Sequence, residues 1–143
     1  MAAVAVHNAV LGEGRPVLPY AETGRSGGTP LVLVHGYLDS WWTFEPVLRR
    51  MPPGLHAYAP TQRGHGDAGK PPDGYLPEDF AADLIAFMDG LGLERAVLAG
   101  GSSGGCRPAS SRAAGRTAWR ASSCSASRPP SPTSHAPPNC GTR

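Results

Sequence analysis

Large apolar side chains are confined to the first hundred residues, and this limits what the chain can fold into. After Leu98 the 143-residue sequence contains no Leu, Ile, Val, Met, Phe or Tyr, and Trp119 is the single large apolar side chain. Ordering the backbone costs about 1–2 kcal/mol per residue, which buried apolar surface has to offset. We therefore expect one folded domain over residues 1–105 and a disordered, low-complexity tail over residues 106–143.

The charge divides the chain at the same place. Residues 107–143 are rich in Arg, Ser, Pro and Ala, with six Arg and no acidic residue, whereas the rest has seven basic residues against all eleven acidic ones. The formal net charge of +2 is thus the sum of a mildly acidic domain and a basic tail. Because the tail has one aromatic residue and no recognisable motif, we expect no nucleic-acid partner.

Several classes of protein are not expected from this sequence. Cys106, Cys124 and Cys140 are too few, and too irregularly spaced, for a disulfide framework or a zinc site, so no metal is predicted. The first residues show no basic segment followed by a long apolar stretch, so no leader is expected, and no apolar run approaches the roughly 18 residues of a membrane-spanning helix. We expect a cytoplasmic protein without a membrane partner, and the sequence leaves its oligomeric state unknown.

Strand-like and helix-like segments alternate through the first hundred residues. The predicted strands are a hairpin within 2–20 and the segments LVLVHG (31–36), LHAYAP (55–60) and RAVLAG (95–100); the predicted helices follow Ser40 and Pro77. The second helix should bury Phe80, Leu84, Phe87 and Met88. This order predicts an α/β fold with a mostly parallel sheet and flanking helices.

The glycine-rich turn GGSSGG (100–105) follows the last predicted strand. A dinucleotide-binding turn needs glycine where Ser102 stands, and a phosphate-binding P-loop needs Lys where Cys106 stands, so no cofactor is predicted. The turn does match G-x-S-x-G, in which Gly100 and Gly104 flank a serine exposed at a tight strand-to-helix turn. The alternative is a glycine turn with incidental serines.

Three motifs in order, LVLVHG, APTQRGHG and RAVLAGGSSGG, resemble the α/β-hydrolase family over about residues 2–105. The resemblance implies that Ser102 is the nucleophile and that the backbone N–H groups of Tyr37 and Ser103 form the oxyanion hole. Dehalogenases and epoxide hydrolases of the family have Asp at the nucleophile position. Ser102 therefore favours an esterase-like enzyme acting on a small-molecule ester or related acyl substrate.

Other motif residues are expected to be structural. His35 is expected to end a strand and His65 to orient the glycine turn, with a catalytic role of His65 as the less favoured alternative. Trp41 and Trp42 are expected in the core, and the alternative is that they line an acyl pocket. Thr61 stands where the family usually has Asp, which should weaken a local hydrogen bond without affecting the chemistry.

The family's catalytic triad continues with an acid and then a histidine, and neither is evident after Ser102. No Asp or Glu follows it, and His135 is the only later histidine. The resemblance thus covers the N-terminal half of the family's domain, and we expect a truncated, inactive chain. The alternative is a non-catalytic fragment or a binding module that acts through its basic tail.

The composition of the tail suggests that its reading frame has changed. With codons ending in G or C, Ala118–Ser127 can be read from the third nucleotide as VAGLVVLGL, an apolar pattern typical of a buried strand. We therefore hypothesise a frame change near Cys106.

Overall fold

A computed structural model describes residues 2–100. The last residues of the predicted domain (101–105) and the predicted tail (106–143) lie outside the described residues. The described elements are β1 (Ala5–Val10), β2 (Val17–Gly24), β3 (Thr29–Val34), a 3₁₀ turn (Trp41–Phe44), α1 (Glu45–Leu48), β4 (Leu55–Pro60), α2 (Pro77–Gly90) and β5 (Val97–Gly100).

These five strands form one mixed sheet in the order β1-β2-β4-β3-β5. The predicted N-terminal hairpin is present as the antiparallel pair β1–β2, and β2 also pairs antiparallel with β4. Strand β3 lies between β4 and β5 and pairs parallel with both. The alternation of strands and helices therefore predicted the α/β class and the parallel strands correctly.

The apolar run of β3 is buried on both sides of the sheet. Val32 and Val34 pack into a core cluster with Phe87 of α2, whereas Leu33, which points the other way, packs with Trp41 and Leu48. Side chains alternate between the two faces of a strand, so a strand covered on both faces needs consecutive apolar residues. This explains why LVLV is continuous rather than alternating.

Helix α2 covers one face of the sheet. Its predicted apolar face is confirmed, because Phe80, Leu84, Phe87 and Met88 are all buried. Pro77 begins the helix, and the Asp79 carboxylate accepts a hydrogen bond from the backbone N–H of Leu76 at 2.9 Å. Burying a side chain as large as Phe87 contributes about 1.5–3 kcal/mol, so this face fixes the helix on the sheet.

The segment after Ser40 is helical but less regular than predicted. The Ser40 hydroxyl accepts a hydrogen bond from the N–H of Trp42, as an N-cap should, yet the chain forms a 3₁₀ turn before α1. Pro46 has no N–H, so the α-helical hydrogen-bond ladder cannot run through it from Trp42. In residues 2–100, no helix is both long and apolar enough to cross a membrane.

Candidate active site

Two parts of the predicted site, Gly100 and the loop that carries Tyr37, lie at the carboxyl edge of the parallel strands, where α/β proteins bind their ligands. Strand β5 ends at Gly100, which pairs with Val34 at the end of β3. The loop that carries Tyr37 leaves β3 directly after Val34. Gly100 is thus placed beside this loop, whereas the other elbow residues, Ser102, Ser103 and Gly104, lie outside the described residues.

The loop after β3 is exposed and locally strained. The Tyr37 side chain is 71% exposed and that of Leu38 is 84% exposed. Leu38 has a φ of 61°, and among the described residues it is the only one besides glycines with a positive φ. A left-handed backbone at such a residue costs of order 1–3 kcal/mol and is found mainly at functional sites.

His35 joins the loop after β3 to the loop after β4. Its Nδ1 lies 2.7 Å from the carbonyl oxygen of Gly36, and its Nε2 lies 2.9 Å from the backbone nitrogen of Gln62. A carbonyl only accepts, so Nδ1 carries the proton and Nε2 accepts from Gln62. The side-chain amide of Gln62 donates a hydrogen bond to the His35 carbonyl oxygen, at 2.8 Å. Both ring nitrogens of this buried histidine are therefore hydrogen-bonded to the backbone, as expected for a structural residue.

Thr61 provides a second link between the same two loops. Its hydroxyl is buried and accepts a hydrogen bond from the backbone N–H of Trp41 at 3.2 Å. A hydroxyl is a weaker acceptor than the carboxylate that the family usually has here. The bond is nonetheless made, and it holds the backbone at the buried residue Trp41. Trp42, in contrast, is 62% exposed and stacks on Trp41, so its expected place in the core was wrong.

His65 lies where the two loops meet. Its Nδ1–H donates to the carbonyl oxygen of Arg63 at 2.9 Å, and its ring is edge-on to His35 and Tyr37, with ring centroids 5.1 and 6.1 Å away. A cavity of about 290 Å³ opens beside it, lined by Leu38, Asp39, Ser40, Gly64, His65 and Gly66. The imidazole therefore faces both the Tyr37 loop and open space.

A buried ion pair between the loop after β4 and α2 was not predicted. Arg63 donates from Nε and Nη2 to the two carboxylate oxygens of Asp83 at 2.6 and 2.7 Å. The hydrogen bond to Asp83 raises the pKa of Arg63 above its ordinary value, against burial, which lowers it. Arg15, in the hairpin turn, adds a contact of 3.2 Å to Asp83. The available signal was Asp83 itself, a carboxylate within the apolar face of the predicted helix.

Within residues 2–100, no group of three His, Cys, Asp or Glu side chains is placed so that it could hold a metal ion.

Comparisons with known proteins agree with this geometry. Residues 31–139, about three quarters of the chain, match the model of a family described as the alpha/beta hydrolase family. Epoxide hydrolase A of Mycobacterium tuberculosis is 35% identical over 88 residues, which are 58% of this chain and 27% of that protein. The 2-(acetamidomethylene)succinate hydrolase of Mesorhizobium japonicum is 34% identical over 91 residues, which are 64% of this chain and 32% of that protein.

Solved structures show the same relationship. Cfl2 of Burkholderia cenocepacia matches with a TM-score of 0.72 at 25% identity, over 78% of this chain and 37% of that one. A crystal structure of E-2-(acetamidomethylene)succinate hydrolase matches with a TM-score of 0.69 at 30% identity, over 78% and 40% of the two chains. The chain thus spans about a quarter to a third of the length of the curated relatives named above. By its sequence and its fold, the chain belongs to the alpha/beta hydrolase family.

Proposed function

We propose that the chain carries the nucleophile half of a serine-type acyl hydrolase site, with Ser102 as the nucleophile. The observation that supports this most is the register between β3 and β5. Gly100, the first residue of G-x-S-x-G, pairs with Val34, so the motif begins at the edge where the Tyr37 loop also leaves the sheet.

The lengths of the connecting segments allow the proposed groups to come within reach of each other. Two residues span at most about 7 Å, and neighbouring strands lie about 4.8 Å apart. Ser102 follows Gly100 by two residues, and Tyr37 follows Val34 by three. A substrate carbonyl held between them could receive hydrogen bonds from the N–H groups of Tyr37 and Ser103. Loss of one such donor typically costs about 2.7–4 kcal/mol of transition-state stabilisation.

The proposed reaction is hydrolysis of an ester in two steps. The Ser102 oxygen forms a bond to the carbonyl carbon while a base takes its proton, and the oxyanion is held by the two N–H groups. The alkoxide then leaves with a proton as the alcohol, and the acyl group remains on Ser102. Water attacks this acyl-enzyme in the same way and releases the carboxylic acid and the free serine.

The relatives support a small-molecule substrate, and the elbow residue supports the acyl chemistry. Several relatives are named epoxide hydrolases, and another is named a haloperoxidase. Epoxide hydrolases of this family have Asp at the nucleophile position. The serine at this position, Ser102, therefore favours attack on an acyl carbon over opening of an epoxide.

Within these 143 residues the proposed site has no evident base. No acidic residue follows Ser102, and His135 is the only histidine there. We therefore propose that the 143-residue chain itself is a non-catalytic fragment of this site. The six Arg of residues 107–143 leave a binding role of that segment as the second candidate. A cytoplasmic location stays a prediction.

Hydrolysis of p-nitrophenyl acetate tests the proposal in two chains. One is the 143-residue chain, and the other continues past Cys106 in the alternative reading frame of its gene. We expect the 143-residue chain to match its Ser102→Ala variant, and the continued chain to lose its activity on the same substitution. A Ser103→Ala variant is the matched control, because it keeps the backbone N–H. Hydrolysis by the continued chain that survives Ser102→Ala would refute the proposed nucleophile.

A further inference from the structure

The loop that carries the proposed oxyanion donor is tied to the loop after β4 at both ends. At its start, His35 is bonded to Gln62 through its ring and its carbonyl oxygen, at 2.9 and 2.8 Å. At its end, the Trp41 N–H donates to the Thr61 hydroxyl at 3.2 Å. Between these anchors, residues 36–38 pass through the exposed and strained part of the loop.

The middle of this loop has a ring contact with His65. The Tyr37 and His65 rings meet edge to face at 83°, with their centroids 6.1 Å apart. Edge-to-face pairs at this spacing are favourable because the positive ring edge meets the negative ring face. Tyr37 is otherwise largely exposed, at 71%, so the ring of His65 is placed to restrain it.

His65 is itself held in place from three sides. Its Nδ1–H donates to the Arg63 carbonyl oxygen, and its ring is edge-on to the buried ring of His35 and to Phe80, at 5.1 and 6.3 Å. Arg63 is fixed in turn by its two bonds to Asp83 on α2. A continuous series of contacts thus connects helix α2 with the Tyr37 loop through the His65 ring.

We propose that His65 is a positioning residue for the oxyanion hole: its ring orders Tyr37 and thereby holds the Tyr37 N–H in place. The catalytic meaning of this contact rests on the proposed function. The contact itself does not, because it is present in a part of the chain that ends before Ser102. Ring shape, rather than proton transfer, is the property of His65 that matters here.

The test is the backbone order of Tyr37, measured by ¹⁵N relaxation on the full 143-residue chain. In the unmodified chain we expect an order parameter near 0.85, typical of rigid backbone. His65→Ala should lower it below about 0.6, whereas His65→Phe, which keeps a ring, should restore it. Val34 should stay unchanged in every variant. The matched control is His7→Ala, which removes a ring contact with Tyr20 at 5.3 Å, away from this loop.

Each result decides the proposal. Loosening of Tyr37 in His65→Ala with rescue by His65→Phe supports it. An unchanged Tyr37 in His65→Ala, a mobile Tyr37 in the unmodified chain, or equal loosening in His65→Phe would overturn it. If His65→Ala does not fold, His65→Gln removes the ring but keeps a donor for the Arg63 carbonyl, and the same outcomes apply. None of these relaxation measurements depends on hydrolysis. The positioning proposal can therefore fail while the nucleophile proposal stands, and the reverse.

Discussion

Replacing Asp83 with Ala should destabilise the fold more than the loss of an ordinary hydrogen bond. Asp83 is 3% exposed and Arg63 is 7% exposed, so the substitution leaves a buried guanidinium without its carboxylate partner. Breaking a buried pair in this way typically costs about 3–5 kcal/mol, against a total stability of about 5–15 kcal/mol for a domain. For a domain of about 100 residues, even 3 kcal/mol corresponds to a fall in Tm of roughly 12–24 °C.

Urea unfolding followed by tryptophan fluorescence would measure this loss, because Trp41 is buried in the fold. Arg15→Gln is the matched control, since Arg15 touches the same carboxylate from a side chain that is 36% exposed and should contribute at most about 1 kcal/mol. A double variant, Arg63→Met with Asp83→Leu, should recover most of the lost stability, because it removes both charges together. A free energy of unfolding for Asp83→Ala within about 1 kcal/mol of that of the unmodified chain would contradict this prediction.

Three further predictions concern the backbone, the pH dependence and the gene. Gly24 and Gly27 both have a positive φ. Gly24→Ala should nevertheless cost more stability than Gly27→Ala, because a Cβ at Gly24 would clash with the Leu55 carbonyl oxygen, whereas a Cβ at Gly27 meets nothing within 4 Å. Equal urea midpoints would contradict the clash. Burial, followed by the Glu22 carboxylate, raises the pKa of Tyr20 and of Tyr58. The stability from their neutral phenols is present below about pH 10 and is lost as the pH rises through the folded pKa values. Tyr58→Phe should therefore lessen the fall in unfolding free energy at alkaline pH. An unchanged fall would show that ionisation of the Tyr58 phenol does not cause it. Sequencing the DNA after the Cys106 codon should show an alternative frame with an apolar pattern, an acid and a histidine, and a frame full of stop codons would exclude the frame change.

The sequence predicted those features that depend on local pattern. The continuous apolar run of β3 predicted a strand buried on both faces, and the helical spacing of Phe80, Leu84 and Phe87 predicted a helix buried on one face. Both predictions were correct. The Arg63–Asp83 pair was missed because its two residues are 20 positions apart and meet only when α2 packs on the sheet. The contact between His65 and Tyr37 was missed for the same reason. Spacing alone does not specify which loops meet at the edge of a sheet.

Reaction of the chain with a fluorophosphonate probe, with the label located by peptide mass spectrometry, tests whether Ser102 is the nucleophile and whether a base activates it. In the proposed site, Ser102 is the nucleophile and its base is absent from these 143 residues. We expect no stoichiometric label on the 143-residue chain, and one label, on Ser102, when the chain continues in the alternative frame. Rapid labelling of Ser102 in the 143-residue chain would contradict the missing base, with His135 the first residue to substitute. A label on any other serine of the continued chain would contradict the nucleophile itself.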